Sequence, residues 1–108
     1  MSNYWILDGH VPVASGVMEW GRWFEAHQDG RIVCQTIGTY KDGSTYTVST
    51  VFVGIDLDFV ASRPPRLFET MVFGTDVDCG DPETRYSTWD EALAGHMAIV
   101  YRLQVEDV

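Results

Sequence analysis

Apolar and polar residues alternate along this chain with two different periods, and each change of period marks an element. Tyr4 to Leu7 reads as a short strand, Asp8-Gly9 as a turn, and Val11 to Val13 as an extended stretch. From Val17 the period becomes helical. Val17, Trp20, Trp23, Phe24 and His27 share one face, and Glu19, Arg22, Glu25 and Gln28 share the other. Ser15 is the expected N-cap and Gly30 the expected stop. Gly21 weakens this helix by about 1 kcal/mol relative to alanine. Burial of its tryptophans and phenylalanine outweighs that loss.

Arg31 to Tyr40 is rich in β-branched residues and reads as a strand, followed by a tight hairpin at Lys41-Asp42-Gly43. Thr45 to Leu57 is a long strand. Pro64-Pro65 breaks the next connection, because proline cannot continue a ladder. Leu67 to Phe73 is a further strand, and Gly74 to Glu83 is an acidic surface loop. Thr88 and Glu91 form a capping box. The helix it opens runs from Trp89 to about Gln104, with Trp89, Leu93, His96, Met97, Val100 and Leu103 at helical spacing. The predicted class is α+β in a single domain, residues 1–108. It has a small antiparallel sheet of about four strands and two helices packed on one face, in the order β-α-β-β-β-α.

Both central strands are apolar on both sides. Val51, Val53, Ile55 and Leu57 share one face of the long strand; Tyr46, Val48, Phe52 and Gly54 share the other, with Thr50 among them. In the next strand Leu67, Met71 and Phe73 alternate with Phe68 and Val72. A half-buried strand alternates apolar with polar. The helices cover one face, and the simplest cover for the second is another copy of the chain, so a homo-oligomer, most simply a dimer, is expected.

Charge narrows the partners. Among 108 residues, acids outnumber bases 16 to 7, for a net charge of -9, and the basic residues are scattered. That reverses the sign of long-range attraction to nucleic acid. No run approaches the ~20 apolar residues of a membrane span, and no basic region joined to an apolar run marks a signal peptide. Neither nucleic acid nor membrane is an expected partner. Cys34 and Cys79 make no disulfide framework; reduced thiols in a cytoplasm suit them better, with pairing left open.

No phosphate loop, dinucleotide fingerprint, zinc-protease motif or nucleophile elbow occurs, and no cofactor is implied. Asp76-Val77-Asp78-Cys79-Gly80-Asp81 begins like a calcium loop, but glycine is at the fifth place and Ser87 stands where the final glutamate belongs. It reads as a solvated acidic loop. His10, His27 and His96 have no metal-ligand spacing, and hydrogen-bonded core or boundary positions are expected for His27 and His96. Glu69 lies among Leu67, Met71 and Phe73, so if that face is buried it needs a partner, for which Arg85 is available. Removing the acid is then expected to destabilise the fold strongly. Glu69, Asp56 and His96 together would suffice for acid–base chemistry, though a structural ion pair uses the same residue types and is favoured. Tyr86 and Trp89, beside the last helix, either meet a ligand or staple the helix to the sheet. Asp56, Glu69, Arg85, Tyr86, Trp89 and His96 are therefore the candidates for ligand or partner binding. No residue is assigned to catalysis or to a metal.

Three stretches carry a resemblance: Val48-Ser49-Thr50-Val51-Phe52-Val53-Gly54-Ile55-Asp56; Pro64-Pro65 with Leu67-Phe68-Glu69-Thr70-Met71-Val72-Phe73-Gly74; and Arg85-Tyr86-Ser87-Thr88-Trp89-Asp90-Glu91-Ala92 with Gly95-His96. Together with Met18-Glu19-Trp20-Gly21-Arg22-Trp23-Phe24-Glu25 they resemble a family of small proteins encoded by bacteriophages and prophages, frequent in phages of actinobacteria. The resemblance implies a phage setting and a host-cell cytoplasm, and brings no activity with it. Where the family often has a histidine after the aspartate matching Asp56, this chain has Leu57, which lowers the odds of chemistry there. The expected function is a non-enzymatic accessory protein that binds a host protein or small molecule, with evasion of host defence as one such role. The alternatives are a small enzyme using Glu69, Asp56 and His96, or a minor virion or assembly component.

The charge generates a first test. In low-salt gel shifts, no band should be retarded on duplex or single-stranded DNA up to roughly tens of micromolar protein; a salt-sensitive shift would contradict it.

Overall fold

The chain turns sharply at Lys41-Asp42-Gly43, where the Asp42 carboxylate accepts hydrogen bonds from the Ser44 N–H (2.8 Å) and hydroxyl (2.5 Å). This local capture of a turn by aspartate starts the central hairpin. The computed structural model describes residues 3–56, 63–74 and 84–106. Its elements are β1 (Tyr4–Asp8), β2 (Val11–Ser15), α1 (Val17–Ala26), β3 (Ile32–Thr39), β4 (Thr45–Phe52), β5 (Phe68–Phe73), β6 (Arg85–Tyr86) and α2 (Trp89–Glu106). The strands β3-β4-β5-β6 form one antiparallel sheet in that order, and β1 and β2 form a separate hairpin. The α+β class and both helices stand as the sequence predicts. The order differs in detail: the first strand pairs with the stretch after it rather than joining the main sheet, and the two-residue β6 closes the far edge.

Register decides what is buried. Val48 lies between Thr36 and Val72, and Thr50 between Cys34 and Thr70. Alternation along the strands then puts Tyr46, Val48, Thr50, Phe52, Phe68, Thr70 and Val72 on one face, where all are buried. Helix α2 lies over this face. Its Ile99, Val100 and Leu103 complete one apolar cluster with Tyr46, Val48 and Val72. Ala92 joins a second with Leu7, Phe52, Leu67 and Phe68. Fully burying a phenylalanine contributes roughly 1.5–3 kcal/mol, and Phe52 and Phe68 are both shut off from solvent. Helix α1 packs on β1 and reaches the buried face through Trp23, whose ring stands edge-on to Phe52 at 5.6 Å.

The capping box is present: the Glu91 N–H donates to the Thr88 hydroxyl oxygen (3.1 Å), and that hydroxyl donates to the Glu91 carboxylate (3.0 Å). Helix α1 is capped differently. Gly16 holds its N-cap position, because Ser15 is the buried last residue of β2.

Three expectations are corrected. β4 ends at Phe52, and Leu57 and Asp58 lie outside the described residues. The cause is Gly54, whose φ of +74° turns the chain so that Ile55 bridges to Tyr4. Next, Leu93 and Met97 face solvent, while Ala92 and Ile99 take inward positions. The helix is apolar over so much of its circumference that spacing alone did not select the side facing the sheet. Finally, Leu67 precedes β5 and is buried, whereas Glu69, Met71 and Phe73 lie on the opposite, open face of the sheet. That face is the one left without a helix.

At Gly54 a Cβ would lie 2.5 Å from the Trp5 carbonyl oxygen and 2.7 Å from the Trp20 indole nitrogen. Gly54→Ala should therefore cost at least about 1–3 kcal/mol from backbone strain alone, whereas a Cβ at Gly21 meets nothing within 4 Å. Gly21→Ala should stabilise by about 1 kcal/mol. Paired thermal melts check both signs, and equal shifts would contradict this account.

Candidate functional site

Three threonines face the core where apolar residues are the rule. Thr36 on β3, Thr50 on β4 and Thr70 on β5 sit in neighbouring register positions beneath α2, which drives His96 into the gap. The imidazole is fully buried and bonded at both nitrogens: Nε2 lies 2.8 Å from the Thr36 hydroxyl and Nδ1 2.8 Å from the Thr50 hydroxyl. Thr50 in turn meets the Thr70 hydroxyl at 2.6 Å, and Thr70 donates to the Tyr86 phenol oxygen at 3.4 Å. Each hydroxyl carries one proton. With Thr70 donating outward, the chain runs in one direction: Thr36 donates to Nε2, Nδ1–H donates to Thr50, and Thr50 donates to Thr70. The neutral imidazole is then protonated on Nδ1. Burial pushes its pKa below the ordinary histidine range.

This row lies between the two apolar clusters. A hydrogen-bonded core histidine is what the sequence led one to expect of His96. Its threonine partners were not identified, since no motif marks them. The available signal was threonine at alternate, core-facing strand positions opposite a histidine on an apolar helix.

The opposite face of the sheet holds the acid. Glu69 pairs with Arg85 across β5 and β6, Nε to Oε1, at 3.8 Å. Both side chains are about three-quarters buried, at 25% and 22% exposure. Glu69 precedes Thr70 on the strand, so its carboxylate and His96 are on opposite sides of the sheet. Glu69 and His96, two members of the alternative acid–base trio with Asp56, therefore do not converge. Asp56 lies elsewhere, beside the hairpin, where its N–H donates to the Asn3 carbonyl at 3.4 Å. Its side chain is buried, and Oδ1 has no hydrogen-bond partner among the described residues. The large penalty expected for losing a core carboxylate does not carry over to Glu69, since partly exposed ion pairs contribute about 0.2–1 kcal/mol. Val53, Ile55, Arg66 and Phe68 line a cleft with Glu69 and Arg85 whose volume is about 10 Å³, room for a single water.

Tyr86 and Trp89 both pack against other elements of the fold. A Cβ at Gly95 would overlap the Tyr86 ring, so glycine there allows α2 to lie directly on that ring. Trp89 stands edge-on to Phe68 at 6.2 Å and also stacks on His10 at 3.7 Å with 3° between planes. The stack ties the tip of the β1–β2 hairpin to the start of α2, a role for His10 that nothing in its sequence setting announced. His27 is exposed rather than at the expected core or boundary position, with Nδ1 2.8 Å from the Trp23 carbonyl oxygen. Cys34 is a free thiol; Cys79 and the acidic stretch Asp76 to Asp81 lie outside the described residues. Among the described residues, no group of three or more metal-ligating side chains occurs. No described helix is long and apolar enough to cross a membrane.

The lowered pKa of His96 sets a pH window. As pH falls through about 6.5, the unfolded chain takes up the proton before the folded chain does. The contribution to stability is thus whole above about 6.5 and is lost below it, down to the folded pKa. Melting temperature should fall more steeply between pH 7 and 5 in the parent than in His96→Gln. Parallel profiles would show that charge burial at His96 is not the source.

Comparison with protein-family models, with curated proteins and with solved structures gives no match.

Proposed function

We propose that the protein is a small accessory protein of phage type that acts by binding rather than by catalysis, as a homodimer joined through the open face of its sheet. The observation that carries this reading is the row of uncovered apolar side chains there. Ile37 is 75% exposed, Phe73 52% and Met71 40%; in register Thr47 stands between Ile37 and Phe73, and Ser49 between Gln35 and Met71. Monomers rarely expose contiguous apolar patches larger than a few hundred Å². Two such faces, each flat and pleated, can pack about 10 Å apart as the layers of a sandwich do.

The arrangement of polar groups supports binding over chemistry. The acid and the histidine are separated by the sheet, and the cleft beside Glu69, at about 10 Å³, is far below the size of an organic-ligand pocket. A host protein, met in the host-cell cytoplasm, is thus favoured over a small molecule as the further partner. The net charge of -9 suits a partner surface that is basic.

Light scattering tests the pairing. At micromolar concentration the parent should have at least twice the 12.2 kDa chain mass. Joint substitution of Ile37→Lys and Phe73→Lys should lower that mass to half or less without changing the far-ultraviolet circular dichroism. A monomeric parent, or a variant that keeps the parent's mass, would overturn the reading.

A further inference from the structure

The two sheets end in the strands β1, β2, β3 and β6. An edge strand offers a row of unpaired N–H and C=O groups to any other extended chain, and folded proteins blunt such edges. Three of these edges are blunted. At β1 the Trp5 N–H donates to the Gly54 carbonyl, and Tyr4 bridges to Ile55. β2 contains Pro12, which has no N–H to offer. β6 is two residues long, and one of them is Arg85 in its pair with Glu69. β3 has no such device. Its eight residues, Ile32–Thr39, include no proline and no charge.

The bonding phase of β3 fixes which groups are free. At the hairpin the Tyr40 N–H donates to the Ser44 carbonyl at 2.8 Å, and at the far end the Phe52 N–H donates to the Arg31 carbonyl at 2.8 Å. Bonded and non-bonded pairs alternate along an antiparallel ladder. The bonds to β4 therefore belong to Cys34, Thr36 and Gly38, opposite Thr50, Val48 and Tyr46. The N–H and C=O groups of Gln35, Ile37 and Thr39 point away from the sheet, and all three residues are exposed. Among the described residues, no other backbone takes them up. They stand in one line, about 6.8 Å apart. Gly38 does not break that line, since the Tyr46 ring covers it from the buried face.

We infer that β3 pairs edge to edge with β3 of a second copy of this chain, antiparallel, about a two-fold axis at Ile37. The free groups themselves state what completes the edge. Donors and acceptors alternating at strand spacing are matched by another extended backbone. Charge then selects the second copy. The chain has a net charge of -9, so copies repel over most approaches. Two β3 strands meet without a charge on either, and no like charges stand opposed. The ladder sets the axis. The regular edge is bounded by the irregularity between Ile32 and Cys34 at one end and by the hairpin after Thr39 at the other. An axis at Ile37 is the placement within those bounds that pairs all three outward residues with one another. Gln35 exchanges bonds with Thr39 of the second copy, so polar side chains stand opposite polar ones. Ile37, which at 75% exposure is the most open of the large apolar side chains described, lies beside its own copy as a β-branched cross-strand pair. Ile37 also belongs to the open face of the sheet. Edge pairing nevertheless joins two sheets side by side and needs no packing of face on face, so the inference goes beyond the sheet-face reading and does not rest on it.

Amide hydrogen exchange on the full chain decides it. In the associated parent, the Ile37 and Thr39 amides should exchange at least about tenfold more slowly than in Gln35→Pro. That substitution removes an outward N–H and no bond to β4. The Thr36 and Gly38 amides, bonded to β4, should stay protected in both proteins, which shows β3 intact. If Gln35→Pro does not fold, dilution of the parent takes its place: the outward amides should lose protection as the chain dissociates, and Thr36 and Gly38 should keep theirs. Outward amides that exchange as fast as free peptide in the associated parent overturn the inference, as does equal protection in parent and folded variant. Phe73→Lys, two strands away on β5, separates the two readings. Protected outward amides in a Phe73→Lys chain of unchanged mass mean that edge pairing stands and face packing fails. Free outward amides in a parent whose mass Phe73→Lys halves mean the reverse.

Discussion

The fold depends on a buried imidazole that must be satisfied at both nitrogens. A polar group shut away from water without a partner costs about 1–3 kcal/mol, so His96 is tolerated only where Thr36 and Thr50 meet it together. Those hydroxyls come from two different strands, and Thr70 on a third strand completes the row. The condition ties the helix to three strands at once. Sliding α2 along the sheet, or slipping one strand by a residue, would take the threonine hydroxyls away from the imidazole. The apolar clusters on either side supply most of the burial but have no such directional demand. They hold the helix on the sheet, and the polar row says where.

The sheet is correspondingly two-sided. One face carries the aromatic and aliphatic clusters, the threonine row and α2. The other carries Ile37, Met71 and Phe73 with the Glu69–Arg85 pair at its border. Side chains that might have cooperated in catalysis are divided between these faces, because successive residues on a strand point opposite ways. Glu69 and Thr70 are neighbours in the chain but separated by the sheet. What the outer surfaces of this molecule share is uncovered apolar area, on the sheet and again on α2. Surface of that kind is suited to association with protein, and association is the property on which the functional reading rests.

Hairpin, helices and sheet are joined by ring contacts. Trp23 meets Phe52, Phe52 meets Phe68 at 5.1 Å, Phe68 meets Trp89, and Trp89 stacks on His10. Trp23 and Trp89 thereby connect α1 and the β1–β2 hairpin to the core of the sheet. Each such ring pair contributes about 0.5–1.5 kcal/mol beyond its area, a sizeable share of the stability of a domain this small.

The sequence by itself determined the elements and their class. Thr88 and Glu91 marked the start of α2, Asp42-Gly43 the central hairpin, and β-branched runs the strands, because caps, turns and propensities act within a few residues. It predicted apolar residues on both sides of the central strands, which holds for Met71 and Phe73 on β5 but not for β4, whose outward positions are Thr45, Thr47, Ser49 and Val51, and it offered Arg85 as a partner for Glu69. Only the tertiary structure decided which side is inside. Where both faces of a strand carry apolar residues, as in β5, period two has no preferred phase, and where a helix carries apolar residues over much of its circumference, spacing cannot choose the arc that meets the sheet. The choice came from contacts distant in sequence: Gly54 ending β4 against Trp5 and Trp20, Gly95 admitting Tyr86, and three threonines converging on one histidine. Such contacts depend on register between strands, and no local pattern in the chain encodes that register.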